Sequence, residues 1–583
     1  MKNLKQIVFF AILIVSLSIC TNVNAEEVSV STFDELKTAL GNGGSIKLDS
    51  DITSTSQLQL SKTATIDLNG HTLTTEKSIF IFNNVTIIDN STEKKGIITN
   101  GSNEIIPIYI GYSTSYTGNL KLKSGTIQSN NKKNVLYVYN GSFELDDGMV
   151  KNAGNGYAIY SVAGTTINIT GGIVASPNNY GIMSSGTLTI NDGEISALAT
   201  TVLNNGSLTI KGGTISSKAS NYPAVATYAN TNTTIDGGNI TSKNNAILNV
   251  GNLTINDGMI YSSNNIAIKN NGNLTINDGT VYSLNNIAIL NNDRAKMIMT
   301  GGEVKTDAQT TSEKGFDAIQ LHGNNELTIN GGTISAPNSY GISAFDNSKV
   351  TINDGVVSSY YMTLVGNGSD SGKDVSFEIN GGTFTSSTLV AYFPQINGKN
   401  KITGGTFTGP TAIEIRAGNL DITGGRFIAT HDTLEVKSNG NGATTLGAAL
   451  AVVQHTTKQP IEVNVSGGEF IGVASINSAN PEQNSAEDIA KVRINVFGGT
   501  YKPKVSDDFI KEGYTQYKID DKYIVGKVYF LDDKEITSGL EAITDLIAKT
   551  IVTNGSINGL DNDTINAIKN AVDNNKNYLC RYT

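Results

Sequence analysis

Hydrophobic and polar residues alternate along most of this chain, and the alternation recurs at intervals of 20 to 30 residues. The recurrence is clearest in Gly251–Leu290, where the segment Asn252–Gly258 (NLTINDG) returns as Asn273–Gly279, 21 residues further on. Alternation with a period of two residues is typical of β-strands, and a longer repeat of about 20 residues indicates stacked coils. The pattern therefore predicts a β-solenoid, in which short strands of successive coils form parallel sheets.

Each repeat contains one glycine that aligns the coils with one another. Apolar residues stand three positions before this glycine and two positions after it, so both are expected to face the core. The residue four positions before it, such as Thr254 or Thr275, lies between core positions and is expected to face solvent. The glycine itself is expected to turn a corner with a positive φ. This glycine column comprises Gly125, Gly148, Gly172, Gly193, Gly213, Gly238, Gly258, Gly279, Gly302, Gly332, Gly355, Gly382, Gly405, Gly425, Gly468 and Gly499.

Coils of this length are expected to hold three short strands. They would be the Leu-Thr-Ile segment, the segment after the glycine, and the Ile-Ala-Ile segment, as at Ile266–Ile268, with Asn264 and Asn265 at the turn before it. A β-hairpin is the alternative interpretation of Asn-Asp-Gly, but hairpin strands recur about every 8 to 12 residues. The second core column changes from Ile and Val to Phe beyond Gly382, which predicts a wider interior there. The long interval from Gly425 to Gly468 predicts a degenerate coil or an inserted loop around 446–457.

The first 25 residues have the pattern of a cleaved secretory signal peptide. Lys2 and Lys5 precede an apolar run, and Val23–Ala25 provides a small-residue cleavage site. No later stretch reaches the roughly 18 apolar residues that a transmembrane helix needs. The sequence therefore predicts an exported protein, secreted or held at the cell surface, without a transmembrane segment after signal removal.

The segments on either side of the repeat are predicted to close its ends. Residues 26–44 form the expected N-terminal cap, because Thr32–Glu35 fits a capping box at the start of a short amphipathic helix. Residues 45–505 form the repeat domain. Residues 506–583 are expected to be a C-terminal cap followed by a small mixed or helical segment.

Composition agrees with export and limits the partners. Only Cys580 remains after signal removal, so no intramolecular disulfide can form in the mature chain. The net charge is −10, with 42 basic and 52 acidic residues and no long run of either sign. This balance argues against nucleic acid or an anionic membrane surface as partner. Charged residues make up only 16% of the chain, so Asn, Ser, Thr and Gly must form most of the surface.

Several motifs resemble those of a known fold family. They are Thr32–Leu36 (TFDEL), Thr65–Leu73 (TIDLNGHTL), the recurring GGTF, as at Gly381–Phe384, and the exit segments Val505–Tyr514 and Lys522–Val525. With these motifs, residues of about 28 to 505 resemble the right-handed parallel β-helix of the pectate-lyase-like superfamily, and most of all its repetitive bacterial surface proteins. The resemblance implies an all-β, right-handed, three-sheet helix of about 20 coils. It specifies activity weakly, since enzymes and non-enzymes share the scaffold.

The residues that catalysis by this superfamily would require are not found together. Resemblance to pectate lyases would imply acidic calcium ligands beside an Arg or Lys base, and no acidic cluster recurs at coil spacing near the mature-region arginines Arg294, Arg416, Arg426, Arg493 and Arg581. Resemblance to polygalacturonases would imply four motifs, of which only the pair Asp146-Asp147 is present. The histidines, at positions 71, 322, 431 and 455, lack metal or triad spacing. No catalytic residue, metal or cofactor is assigned.

Acidic residues do form one column, directly before the corner glycine, at Asp192, Asp257, Asp278 and Asp354. Aspartate favours such turns because its side chain bonds the neighbouring backbone, so turn formation is the expected role. The alternative function, a divergent polysaccharide lyase or glycoside hydrolase acting on acidic polysaccharide, remains open. It predicts acidic side chains that converge with a Lys or Arg in a groove on one sheet.

The one binding site suggested by the pattern lies three residues after the corner glycine. There Tyr261 and Tyr282 occupy outward positions in neighbouring coils, and Lys305 follows in the next. Two aromatic rings one strand apart could stack against a sugar ring. The alternative is a cross-strand aromatic pair that only stabilises the sheet. The expected function is that of a secreted or surface-displayed bacterial β-helix protein with a structural, adhesive or glycan-interaction role. Its partner would be a polysaccharide or a cell-surface glycan or protein.

Overall fold

The chain folds as a right-handed parallel β-solenoid of about 18 turns, all-β with few helices. The computed structural model describes residues 27–527, apart from 103–104, 131, 293, 312–314, 368–373 and 439–441, together with the strand backbone at 530–531 and 534–535. The predicted fold class is confirmed, with slightly fewer coils than the 20 expected. The signal peptide at 1–25 and the helical tail beyond 535 lie outside the described residues, so those assignments stay predictions.

The chain divides into two compact units, Met1–Leu198 and Ala199–Thr583. In both units a coil contributes one strand to each of three parallel sheets. We call sheet 1 the sheet whose strands precede the corner glycine, sheet 2 the sheet whose strands follow it, and sheet 3 the sheet of the third strands.

The N-terminal unit begins with the strand Val28–Val30, which pairs with the first strand of sheet 1. Sheet 1 holds Gly44–Leu48, Ala64–Asp67, Asn84–Ile88, Gly118–Leu122, Gly141–Leu145, Thr166–Ile169 and Thr187–Ile190. Sheet 2 holds Ile52–Ser54, Thr72–Thr75, Ile97–Asn100, Thr126–Ser129, Met149–Asn152, Ile173–Ser176 and Glu194–Ala197. Sheet 3 holds Leu58–Leu60, Ile79–Ile81, Ile108–Ile110, Leu136–Val138, Ile159–Ser161 and Ile182–Ser184.

The C-terminal unit repeats the arrangement with longer connections. Two of its strands, Asn232–Ser242 and Asn252–Ser262, pass around the corner and belong to sheets 1 and 2. Sheet 1 further holds Ser207–Ile210, Asn273–Ile276, Lys296–Met299, Glu326–Ile329, Lys349–Ile352, Ser376–Ile379, Lys401–Ile402, Gly418–Ile422, Ile461–Val465 and Val492–Val496. Sheet 2 further holds Thr214–Ser217, Thr280–Ser283, Glu303–Thr306, Thr333–Ala336, Val356–Ser359, Thr383–Ser386, Thr406–Gly409, Arg426–Ala429, Glu469–Ile471 and Thr500–Lys502. Sheet 3 holds Val202–Asn204, Val225–Thr227, Ile247–Asn249, Ile268–Asn270, Ile289–Asn291, Asp317–Leu321, Tyr340–Phe345, Met362–Asn367, Leu389–Gln395, Ile413–Ile415, Ala448–Val453 and Ala474–Ala479.

A helix lies at the start of the N-terminal unit, as the capping box predicts. It spans Phe33–Asn42, and the Thr32 side chain accepts from the Glu35 backbone N–H while the Glu35 carboxylate accepts from the Thr32 N–H. Leu36 and Leu40 are buried against the strands of the first coil. The helix thus covers apolar surface that an open coil would expose.

The C-terminal unit changes from parallel to antiparallel pairing after its last coil. The strands Tyr514–Ile519 and Lys522–Lys527 form a hairpin, and the second pairs antiparallel with Thr500–Lys502. A one-turn helix, Ala486–Ile489, and a 3₁₀ turn, Asp507–Phe509, precede the hairpin. A second short hairpin follows, with strands Phe530–Leu531 and Lys534–Glu535.

The core consists of the two predicted apolar columns stacked in register. Ile255 pairs with Ile276 and Ile260 with Val281, and all four are buried. In the last coils the second column is a continuous stack of buried rings with centroids 4.6 to 5.2 Å apart, formed by Phe384, Phe407, Phe427, Phe470 and Tyr501. The Phe residues beyond Gly382 thus form a stacked aromatic core, and the wider interior expected there stays a prediction.

The corner glycines have positive φ throughout the predicted column, except Gly148. Backbones also approach closely there: a Cβ added at Gly279, where φ is 88°, would lie 2.8 Å from the carbonyl oxygen of Gly258 in the preceding coil. Both the positive φ and the close approach to the preceding coil require glycine at position 279.

The long interval between Gly425 and Gly468 is an insertion, but it lies earlier than predicted. It separates the sheet 2 strand Arg426–Ala429 from the sheet 3 strand Ala448–Val453, and it contains a hairpin formed by Glu435–Val436 and Thr445–Leu446. The predicted position at 446–457 was wrong because the alanine-rich run 447–453 looks irregular in sequence yet is the strand of sheet 3. We call residues 430–447 the insertion.

We expect Gly279→Ala to lower the free energy of unfolding of the C-terminal unit by more than the roughly 1–3 kcal/mol of positive-φ strain alone. Gly513→Ala is the matched control, because Gly513 has a φ of 84° but an added Cβ there has nothing within 4 Å. Denaturant titrations followed by circular dichroism measure both. Equal losses in the two variants would contradict a role for the contact between coils.

Candidate functional site

The tyrosines singled out in the sequence lie side by side on sheet 2 of the C-terminal unit. Tyr261 is in register with Tyr282, and Tyr282 is in register with Lys305. The two ring centroids are 5.3 Å apart with planes tilted by 39°. The Lys305 Nζ lies 5.1 Å from the centroid of the Tyr282 ring. The expected adjacency of the three residues is thus present.

The same contacts occupy the ring that was expected to bind a sugar. Tyr261 covers one side of Tyr282 and Lys305 the other, while the Tyr282 hydroxyl donates a hydrogen bond of 2.7 Å to Asp307. Partial burial and the Asp307 carboxylate raise the pKa of Tyr282 to about 12. Lys305 also forms an ion pair of 3.2 Å with Asp307. Ligand binding by this group stays a prediction, and its geometry is that of a network stabilising the sheet.

A larger aromatic surface, which the sequence reasoning missed, lies on sheet 3 of the N-terminal unit. The outward residue of each strand is in register with the next, in the order Phe80, Tyr109, Tyr137 and Tyr160. Successive centroids are 5.0, 5.4 and 5.1 Å apart, and the first two rings are nearly parallel at 6°. We call these four residues the aromatic row. Because their faces stack on one another, their outer edges and the tyrosine hydroxyls point away from the sheet.

Further aromatic side chains flank the row on both sides. Tyr112 meets Phe80 edge-on at 78°, Tyr116 contacts Phe82, and Tyr139 lies beside Tyr137. Tyr112, Tyr116 and Tyr139 are 58%, 54% and 40% exposed, so these residues are accessible to a ligand. On the other side Tyr157 packs against Tyr160 and stacks on Tyr180 at 5.3 Å. The row and these flanking rings together are called the aromatic surface below.

The loop that carries Tyr112 and Tyr116 is held in place by the next coil. The Asn140 side-chain amide donates to the carbonyl oxygen of Ser113 and to the Thr117 hydroxyl, both at 3.0 Å. Tyr112 and Tyr116 are also joined by a backbone hydrogen bond of 3.3 Å. The exposed rings therefore occupy a defined position, which is a requirement for specific binding.

Burial raises the pKa of Tyr109 and of Tyr137, and the neighbouring tyrosines add to the shift, so these two hydroxyls are neutral near pH 7. A neutral tyrosine hydroxyl can both donate and accept hydrogen bonds. The surface thus combines apolar ring edges with phenol hydroxyls.

The row was missed because sheet 3 of the N-terminal unit has no recurring motif in sequence. Its strands there are only three residues long, and the turns before them vary in length. The signal that could have revealed it is an aromatic residue in the centre of the third apolar triplet of consecutive coils: Ile79–Ile81 (IFI), Ile108–Ile110 (IYI), Leu136–Val138 (LYV) and Ile159–Ser161 (IYS).

The aspartates before the corner glycines form turns, as expected. Asp192, Asp257, Asp278 and Asp354 each accept a hydrogen bond from the backbone N–H of the following glycine, at 2.6 to 2.8 Å. Their carboxylates are satisfied locally by the turn.

An acidic residue and an arginine do meet on sheet 3 of the C-terminal unit, but beneath the insertion. Arg416 Nε donates to Glu414 at 2.8 Å, and the other oxygen of Glu414 accepts from the backbone N–H groups of Thr444 and Thr445. Glu414 is 0% exposed and Arg416 2%. Arg416 also donates to the Gly442 carbonyl and to the Thr444 hydroxyl. The pair fastens the insertion to the sheet and is closed to a polymeric substrate.

A second arginine pairs with an acidic residue at coil spacing, which the sequence reasoning did not anticipate. Arg426 is in register with Glu469 and donates to it at 2.7 Å, and Lys522 contacts the same carboxylate. These basic groups lower the pKa of Glu469 against the opposing effect of partial burial, so the carboxylate is ionised at neutral pH. One carboxylate shared by two cations lacks the second acid that hydrolysis of a glycosidic bond requires.

Asp317 carries a buried carboxyl group on sheet 3 of the C-terminal unit. It is 3% exposed and accepts hydrogen bonds from the Gln320 amide, at 2.7 Å, and from the Ser343 hydroxyl. Burial raises its pKa to about 7, a shift that these two donors oppose. A pKa near 7 suits a general acid, yet Asp317 is buried too deeply for a substrate to reach its carboxyl group.

The described residues contain no group of three or more His, Cys, Asp or Glu side chains that could hold a metal ion. Nor does any helix in the described ranges have the length and apolarity needed to cross a membrane. Comparison of the chain with protein-family models, with curated proteins and with solved structures found no match in any of the three.

We expect Arg416→Met to destabilise the C-terminal unit by about 3–5 kcal/mol, because Glu414 would remain buried without its counter-charge. Arg426→Met is the control: its side chain is 51% exposed, and loss of its ion pair should cost at most about 1 kcal/mol. Chemical denaturation of both variants measures the difference. Similar small losses would show that the Glu414–Arg416 pair does not hold the insertion.

The raised pKa of Asp317 makes the stability of the C-terminal unit depend on pH. The folded state holds this proton more tightly than the unfolded state, so the free energy of unfolding should fall as pH rises from about 4 to about 7 and then level off. Asp317→Asn should flatten this part of the profile, whereas Asp278→Asn at an exposed turn should leave it unchanged. Thermal unfolding across this pH range measures the effect. A wild-type profile that rises through this range in parallel with that of Asp317→Asn would contradict it.

Proposed function

We propose that this chain is an exported, non-catalytic β-solenoid protein that binds a saccharide through the aromatic surface of its N-terminal unit. The observation that supports the proposal most strongly is the aromatic row with its exposed flanking tyrosines. Large exposed aromatic surfaces are uncommon on soluble proteins and mark binding sites. Tyrosine suits such sites because it offers a large rigid ring and a hydroxyl at low entropic cost.

A saccharide fits the chemistry of this surface better than the other partner classes. Pyranose rings present apolar C–H faces with a rim of hydroxyls, and the surface offers ring edges and faces beside neutral phenol hydroxyls. Bases of nucleic acid also stack on aromatic rings, but they are accompanied by phosphates that need cations, and the chain carries a net charge of −10. The saccharide is therefore the ligand we propose.

The proposed location is outside the cell, either secreted or at the cell surface. The signal-like residues 1–25, the low content of charged residues and the resemblance to repetitive bacterial β-helix surface proteins support it. Membership of the pectate-lyase-like superfamily is part of the same proposal and rests on the motifs quoted above. In such a setting a saccharide-binding solenoid would serve adhesion to a polysaccharide or to a glycan-coated surface.

Binding to a panel of immobilised plant, bacterial and animal glycans tests the proposal. We expect the double variant Tyr109→Ala/Tyr137→Ala to lose about tenfold or more in affinity, as central aromatic contacts do in other interfaces. Tyr261→Ala/Tyr282→Ala is the matched control, because it also removes a stacked outward pair and should retain binding. Tyr109→Phe/Tyr137→Phe keeps the rings and should lose only the contribution of the hydroxyls.

Circular dichroism of each variant checks that the coils remain folded. Loss of binding in the control variant but not in the row variant would move the site to sheet 2 of the C-terminal unit. Release of unsaturated or reducing sugars from acidic polysaccharides, with or without calcium, would establish the enzymatic alternative and contradict a purely binding function.

A further inference from the structure

The arrangement of the aromatic surface defines the kind of saccharide more narrowly than the proposed function does. We infer that the ligand is an uncharged polysaccharide in an extended conformation, which lies along the aromatic row with about one sugar residue per coil. This inference rests on the proposed saccharide binding, and it adds the charge, the form and the direction of the ligand.

The first observation is the absence of charge in the segments that form the surface. Residues 79–88, 105–118, 135–143 and 154–168 contain no Asp, Glu, Lys or Arg, although the whole chain has 42 basic and 52 acidic residues. An acidic polysaccharide would give up hydration of its carboxylates here without gaining an ion pair. The cations that precede these strands most closely in sequence include Lys77 and the pair Lys132 and Lys133, all in the leading turns.

The second observation is the even repeat of the row. Its rings are 5.0 to 5.4 Å apart, one per coil, and this spacing is close to the length of one pyranose residue in an extended chain. Tyr109, Tyr137 and Tyr160 place one hydroxyl on every rung after Phe80. A ligand with the same repeat can make the same contact on each rung, which a compact ligand cannot.

The same regularity argues against a protein partner. Protein interfaces concentrate their energy in a few aromatic anchors that fill pockets of the partner. The aromatic row instead presents one ring per coil, and further rings flank it: Tyr112 contacts Phe80 and Tyr139 contacts Tyr137, while Tyr157 contacts Tyr160. Such a repeat suits a linear chain with a matching period.

The row has defined ends, which limit the length of ligand that it can contact. Phe80 is in register with Gln59 in the preceding coil, and Tyr160 is in register with Met183 in the following coil. Affinity should therefore increase with each added sugar up to about four residues and then level off. The interaction should also be insensitive to salt, because no ion pair contributes.

Calorimetric titration with uncharged β-1,4-linked gluco-, manno- and xylo-oligosaccharides of one to six residues tests the inference, with oligogalacturonates of the same lengths as the acidic arm. We expect at least one uncharged series to bind, with affinity that rises to a plateau near four residues and is equal at low and high salt. Tyr160→Ala removes the last rung and should move the plateau to about three residues. A merely structural role of Tyr160 would leave the plateau where it is.

Lys77→Gln/Lys132→Gln/Lys133→Gln is the control for charge. It should leave binding of the uncharged series unchanged. Preference for oligogalacturonates, abolished by this variant or by salt, would overturn the inference while leaving saccharide binding intact. Binding of a monosaccharide as tightly as the longer oligosaccharides would also overturn the inference. Absence of binding to every saccharide, with capture of a protein by the same surface, would overturn both the inference and the proposed function.

Discussion

The constraint on which this structure depends is the in-register stacking of one coil on the next. Parallel pairing places each residue about 4.8 Å from the residue at the same position of the neighbouring coil, so equivalent side chains pack against one another. This stacking stabilises apolar residues, which bury one another. It also stabilises amides, because Asn249 donates to Asn270 and Asn270 donates to Asn291 in a buried ladder. Like charges would repel at this distance, which accounts for the 16% content of charged residues. Some of the charges that do occur face an opposite charge in the next coil, as in the pair Lys121 and Glu144.

The same constraint explains which parts of the fold could be predicted from sequence. The core columns and corner glycines recur in sheets 1 and 2, where Asn252–Gly258 and Asn273–Gly279 are identical, so alignment alone reveals them. The same residue types recur at these positions because each coil places them in the same environment. The approximate coil count and the aromatic column of the last coils follow from this periodicity, whereas the capping helix follows from the capping box at Thr32–Glu35.

Sheet 3 of the N-terminal unit could not be predicted in this way, because its strands are short and the turns before them differ in length. The aromatic row therefore escaped alignment, although each of its members follows a buried aliphatic residue. Neither could the sequence reveal that Lys305 and Tyr261 cover the two sides of Tyr282, since only the register and the side-chain directions show it. The closure of Glu414 and Arg416 beneath the insertion depends on contacts distant in sequence. The contacts that could not be predicted from the sequence are therefore those between segments that do not repeat.

The antiparallel hairpin of the C-terminal unit has a consequence for colloidal behaviour. A stack of parallel strands whose last member is unpaired is a template onto which further chains can add, in the manner of amyloid growth. The strand Lys522–Lys527 pairs with Thr500–Lys502 in the opposite direction, and Lys522 and Lys502 place ammonium groups at that edge in ion pairs with Glu469 and Asp521. An added parallel coil would find neither the direction nor the apolar register that it needs. The device that ends the coils thus also protects a highly repetitive chain from polymerising.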